Sequence, residues 1–117
     1  STTPTALTSD GATASGSNQI VLPNDSTFAF RILVSVRAIT SNQAGAWEFN
    51  GVITRNTGVA TTTLRVVNKT KIWSSVAGYD VNVVADVTNG ALQILANGAD
   101  ANTVRFVAKV DTTEVTG

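Results

Sequence analysis

Apolar and polar residues alternate along most of this chain with a period of two, and nowhere with the 3.6-residue period of a helix. The clearest run is Thr27 to Ala38. Phe28, Phe30, Ile32, Val34 and Val36 fall on one side, and Ala29, Arg31, Leu33, Ser35 and Arg37 on the other, as a pleated strand requires. Ala46 to Arg55 repeats the pattern, with Trp47, Phe49, Gly51 and Ile53 opposed to Glu48, Asn50, Val52 and Thr54. Gly51 in mid-strand predicts a bulge or a close backbone approach. Asp80 to Val87 places Val81, Val83, Ala85 and Val87 inward. Thr88-Asn89-Gly90 then signals a hairpin, whose return strand carries Leu92, Ile94 and Ala96. A last strand from Thr103 to Val115 sets Val104, Phe106, Ala108 and Val110 against Arg105, Val107 and Lys109.

The remaining segments are less regular. Gln19 to Leu22 predicts a short strand, stopped by the turn chemistry of Pro23-Asn24-Asp25-Ser26. Thr40 to Gln43 predicts a loop and Asn56-Thr57-Gly58 a turn, after which Ala60 to Val67 returns. Asn68-Lys69-Thr70 breaks the alternation, and Lys71 to Val76 reads either as a strand or as an irregular crossover. At the start, residues 1–4 are expected to be disordered, and residues 5–16 read as an edge strand, over Thr5 to Ser9, or as a linker. About eight strands at this spacing predict one domain over residues 1–117: an all-β, antiparallel, jelly-roll-like β-sandwich.

Composition agrees. Val, Ile and Thr supply 40 of the 117 residues, and β-branched side chains favour pleated surfaces. Ten Asn and nine Gly supply turn positions. With no Cys and no His, the chain lacks disulfides, thiolate metal sites, and the commonest general base and metal ligand. Eight basic and eight acidic side chains cancel, so no net field draws nucleic acid or anionic lipid. No segment has the length and apolarity of a membrane-spanning helix, and the polar Ser1–Ser17 stretch is not a signal peptide. The missing initiator Met is read as a cleaved start within a longer product.

Outward-facing strand positions are mixed rather than polar. Arg31 and Arg37 flank Leu33, Glu48 shares a face with Val52, and Val107 lies between Arg105 and Lys109. Isolated exposed apolar residues are ordinary, and the same mixture also suits a subunit interface. Arg31, Leu33, Glu48, Val52 and Arg105 are therefore the candidate interface residues.

Candidate chemistry is sparse. Glycoside hydrolysis needs two carboxylates across a cleft, whereas the chain has only Glu48 and Glu114 as Glu, and its Asp residues sit mostly at turns. Asp86-Val87-Thr88-Asn89-Gly90 lacks the spacing of a calcium loop; Asp80, Asp100 and Asn102 are the acids and amides that folding would have to bring together for one. Trp73 and Tyr79 flank the irregular Ser74–Gly78 stretch; the stronger reading is that both plug the end of the barrel, and otherwise they are the candidate ligand-facing aromatics, beside the loop residues Asn42, Asn56, Asn97 and Asn102. No catalytic residue, metal or cofactor is expected.

Four blocks carry a resemblance: Leu22 to Phe30, Ala46 to Arg55, Ala85 to Ile94 and Thr103 to Val115. In this order they resemble the C-terminal β-domains of bacteriophage tail-fibre, tail-spike and related virion proteins. One departure is Tyr79, which stands where that family often carries Trp. The resemblance implies a non-enzymatic virion module, commonly a homotrimer at a fibre tip. Its partners would be other virion proteins and a host-surface glycan or protein. A capsid-surface decoration protein and a dedicated glycan-binding module are the alternatives, with a glycosidase a remote third.

Overall fold

Side chains that alternate in the sequence alternate in burial, and this builds the molecule. The computed structural model describes residues 5–7, 17–38, 42–75, 79–98 and 104–117. Among them run β1 (Thr5–Ala6), β2 (Ile20–Val21), β3 (Ser26–Ala38), β4 (Gln43–Arg55), β5 (Thr63–Ser74), β6 (Asp80–Asp86), β7 (Ala91–Asn97) and β8 (Val104–Thr116). One 3-10 turn, Val59–Thr61, lies between β4 and β5. All pairings are antiparallel and form two sheets, so the chain is an all-β sandwich.

The long-stranded sheet has the order β5-β4-β3-β8. Its first three strands follow one another as a meander, and β8 returns to lie beside β3, a Greek-key order. In the second sheet β7 pairs with β6 on one side. On its other side β1 and β2 lie end to end, opposite Leu95–Ala96 and Ala91–Leu92.

β3 is buried at every second position along its 13 residues. Phe28, Phe30, Ile32, Val34 and Val36 meet Trp47, Phe49 and Ile53 from β4, and Val81, Val83, Leu92 and Ile94 from the facing sheet. Each large side chain so removed from water contributes roughly 1.5–3 kcal/mol. Pro23 and Asp25, the latter at φ 57°, turn the chain into β3. Ser26 Oγ caps this turn by donating to the Pro23 carbonyl at 2.8 Å. Along one flank of the sandwich, Lys69 Nζ of β5 reaches Asp80 of β6 at 2.6 Å. Along the other flank the sheets leave a cavity of about 260 Å3 between β8 and the β1–β2 row.

Several expectations need correction. Asn68-Lys69-Thr70 does not break the chain; β5 runs through it to Ser74, and Lys71–Ser74 belong to the same strand. Polar residues are tolerated there because β5 is an edge strand: Asn68 Nδ2 donates to Asn50 Oδ1 at 2.9 Å, and Lys69 binds Asp80. Register shifts opposite Ala46/Trp47 and Val52/Ile53 also disturb its alternation. The return after Gly58 begins as the 3-10 turn rather than as a strand. The β6–β7 hairpin forms with a four-residue loop, Val87 to Gly90, because β6 stops at Asp86. Its carboxylate accepts the N–H groups of Thr88 and Asn89 at 3.0 and 3.2 Å, which leaves Val87 half exposed instead of inward. Gln43 is strand, not loop, since β4 begins there rather than at Ala46. The expectations for residues 1–4 and for most of 5–16 lie outside the described residues.

Candidate functional site: an exposed sheet face

The outer face of the long-stranded sheet is where the candidate interface residues meet. Register fixes its layout. Ala46–Ser35–Val107, Glu48–Leu33–Lys109, Asn50–Arg31–Asp111 and Val52–Ala29–Thr113 form successive rows across β4, β3 and β8. On the β5 side Trp73, Thr70, Asn68 and Val66 extend them in turn. Arg105 stands directly opposite Arg37 in the row beyond Ser35–Val107, toward the Ala38 end. Thus Arg31, Leu33, Glu48, Val52 and Arg105, drawn from three strands, share one surface.

Charges and apolar groups interleave there. Arg31 Nη2 lies 3.6 Å from Glu48 Oε2, and Lys109 Nζ lies 4.0 Å from Asp111 Oδ2. Between these groups Leu33, Val66, Trp73, Val107 and Val115 are 44 to 70% exposed. Sequence reasoning missed Val66 and did not connect Trp73 to this face. Splitting β5 at Asn68 had hidden the register that aligns both with Val52 and Ala46.

The ligand-facing candidates do not form one site. Trp73 is exposed, but Tyr79 is not: its ring is 2% exposed and packs in the core, which corrects the expectation that both aromatics face a ligand. Asn42 accepts a hydrogen bond from Arg37 at the Ala38 end of β3. Asn97 ends β7 at that same end of the sandwich, where the next residue, Gly98, lies beside Val104, the partner of Ala38. Asn56 lies at the opposite end, where its N–H donates to Thr61 Oγ1 at 3.0 Å. Asn102 and Asp100 lie outside the described residues.

Among the described residues Glu48, Asp80 and Asp111 are held in ion pairs and Asp86 in a turn. Asp86 takes Gln19 Nε2 at 2.9 Å and Asn89 Nδ2 at 2.8 Å besides the two backbone N–H groups. Partial burial opposes its charge, but these donors outweigh burial and hold its pKa below the ordinary aspartate value. Asp80 follows the same rule: burial works against the charge, and Lys69, the Val81 N–H and Asn82 more than offset it. Among the described residues no cluster of three or more acids could hold a metal ion. Glu48 has Arg31 as its ion-pair partner and lies on an open sheet face rather than in a cleft.

No known protein-family model matches this chain, and no curated protein matches it.

Proposed function

We propose that this chain is a bacteriophage virion structural module, a homotrimeric tip or head domain of a tail fibre or spike. It serves assembly with other virion proteins and attachment to the host surface, and it carries no catalytic site. The observation that supports this reading is the outer face of the long-stranded sheet. Interfaces seat apolar groups among charges that fix register, and Leu33, Val52, Val66 and Val107 sit in that way among Arg31, Glu48, Lys109 and Asp111. The four sequence blocks similar to tail-fibre and tail-spike β-domains supply the virion context.

Light scattering coupled to gel filtration tests the reading. The expected mass is three chains or a multiple of three, falling to a smaller species in Leu33→Glu, a substitution at a half-exposed position that leaves the core intact. A wild-type protein that stays a single chain at high concentration overturns it. The attachment part rests on Trp73, an exposed aromatic at the end of the face that suits stacking on a sugar ring. Glycan arrays and cell binding with the assembled protein check it, and absence of any signal removes it.

A further inference from the structure

The rim of β8 is built differently from the opposite rim of its sheet. β5, at one edge, carries two register shifts, whereas β8 follows β3 for 13 residues without one. Among the described residues no strand pairs with the outer rim of β8. A long regular edge of this kind is a template for another strand, and bulges are a common means of preventing such pairing. Beside it the inner-facing residues Phe106, Ala108 and Val110 are only partly covered. The 260 Å3 cavity opens against Ala108 and Val110, with Leu7, Ile20, Leu92 and Ile94 as its other apolar walls.

We infer that β8 pairs edge to edge with β8 of a second copy, antiparallel about a two-fold axis at Val110. The charges on the strand complement a second copy of itself in this register. Centring on Val110 puts Lys109 opposite the partner's Asp111 and Asp111 opposite the partner's Lys109, both on the outer face. On the same outer face Arg31 of β3 already stands opposite Asp111, so charge alternates across the joined sheets. On the inner face Val110 meets the partner's Val110, and Ala108 meets the partner's Thr112. These side chains close the mouth of the cavity. Register slips that place Lys109 opposite the partner's Lys109, or Asp111 opposite the partner's Asp111, set like charges together and are disfavoured.

This contact goes beyond the trimeric reading, because it pairs the backbone rim of β8; Lys109 and Asp111 also belong to the face, and the Leu33→Glu background lets the two contacts fail separately. The chain contains no Cys, so single-cysteine variants report contacts cleanly. Antiparallel neighbours stand about 4.5–5.5 Å apart at Cα, within disulfide reach. Under mild oxidation Val110→Cys is expected to give a covalent dimer as the main product. Val115→Cys is expected to give several-fold less, since its mate lies roughly 30 Å away along the paired strands. Lys109→Asp is expected to reduce Val110→Cys crosslinking several-fold, and adding Asp111→Lys to restore it. The same pattern in the Leu33→Glu background separates the rim contact from the face contact. Equal crosslinking at positions 110 and 115, no crosslinking at 110, or indifference to the charge reversal overturns the inference.

Discussion

Arg55, at the end of β4, donates from Nη1 to the Leu22 carbonyl oxygen at 2.6 Å. Leu22 in turn donates its N–H to Gly90 at 2.8 Å, so the link runs from the long-stranded sheet into the hairpin of the facing one. The guanidinium passes so close to Gly90 that a Cβ there would lie 2.5 Å from Nη1. Arg55→Met keeps the length of the side chain and removes the charged donor. The expected loss is about 1.5–3 kcal/mol of unfolding free energy by urea titration. Gly90→Ala, at φ 70°, is expected to cost about 1–2 kcal/mol from backbone strain alone.

The two tryptophans predict opposite outcomes. Trp47 is fully buried and packs in the core, so Trp47→Ala is expected to cost about 3–5 kcal/mol. Trp73 is 59% exposed, and Trp73→Ala is expected to change monomer stability by less than about 0.5 kcal/mol. Thermal melts of both variants, read beside a glycan or cell-binding assay, separate a packing role from a surface one.

Gly51 is the tightest point between β4 and β5. A Cβ would fall 2.0 Å from the Val66 carbonyl oxygen and 2.9 Å from the Phe30 ring. The obstructing atom is backbone and cannot swing away. Gly51→Ala is expected to destabilise by about 1–3 kcal/mol or more, measurable by denaturant unfolding.

Acid should unfold the protein through Asp80 and Asp86. Both have folded-state pKa values below the ordinary aspartate value, set by their donors against partial burial. Their stabilisation is therefore complete above the unfolded value of about 3.9 and is lost as pH falls through the lower folded value. With no His in the chain, the melting temperature is expected to be nearly flat from about pH 5.5 to 8 and to drop below about pH 4. Asp80→Asn and Asp86→Asn should each lessen the drop. The effect at Asp80 is small, because the Lys69–Asp80 pair is partly solvated and worth about 0.2–1 kcal/mol.

The sandwich was legible wherever one strand face was buried and the other wet. β3 reads directly from its alternation because neighbours on both sides hold it flat. β5 does not: an edge strand needs no apolar row on its free side, and its two register shifts spoil the count. Val87 was misplaced because the alternation continues past Asp86, while the Asp86 carboxylate has already begun the turn. For the candidate face, parity along β3, β4 and β8 was enough to group Arg31, Leu33, Glu48, Val52 and Arg105. Tyr79 misled because an aromatic beside a Ser- and Gly-rich stretch carries no mark of which way it points.

β8 completes the principal sheet by pairing with β3, although the other five long strands and hairpin strands of the described chain include none that comes later in the sequence. During synthesis, then, β3 waits with one side bare until almost the whole domain has left the ribosome. Premature release before Thr116 would expose Phe28, Ile32 and Val34 along that side, a form that cellular quality control can recognise and destroy. Placing the closing strand so late makes a finished sheet a signal that β8 has been made.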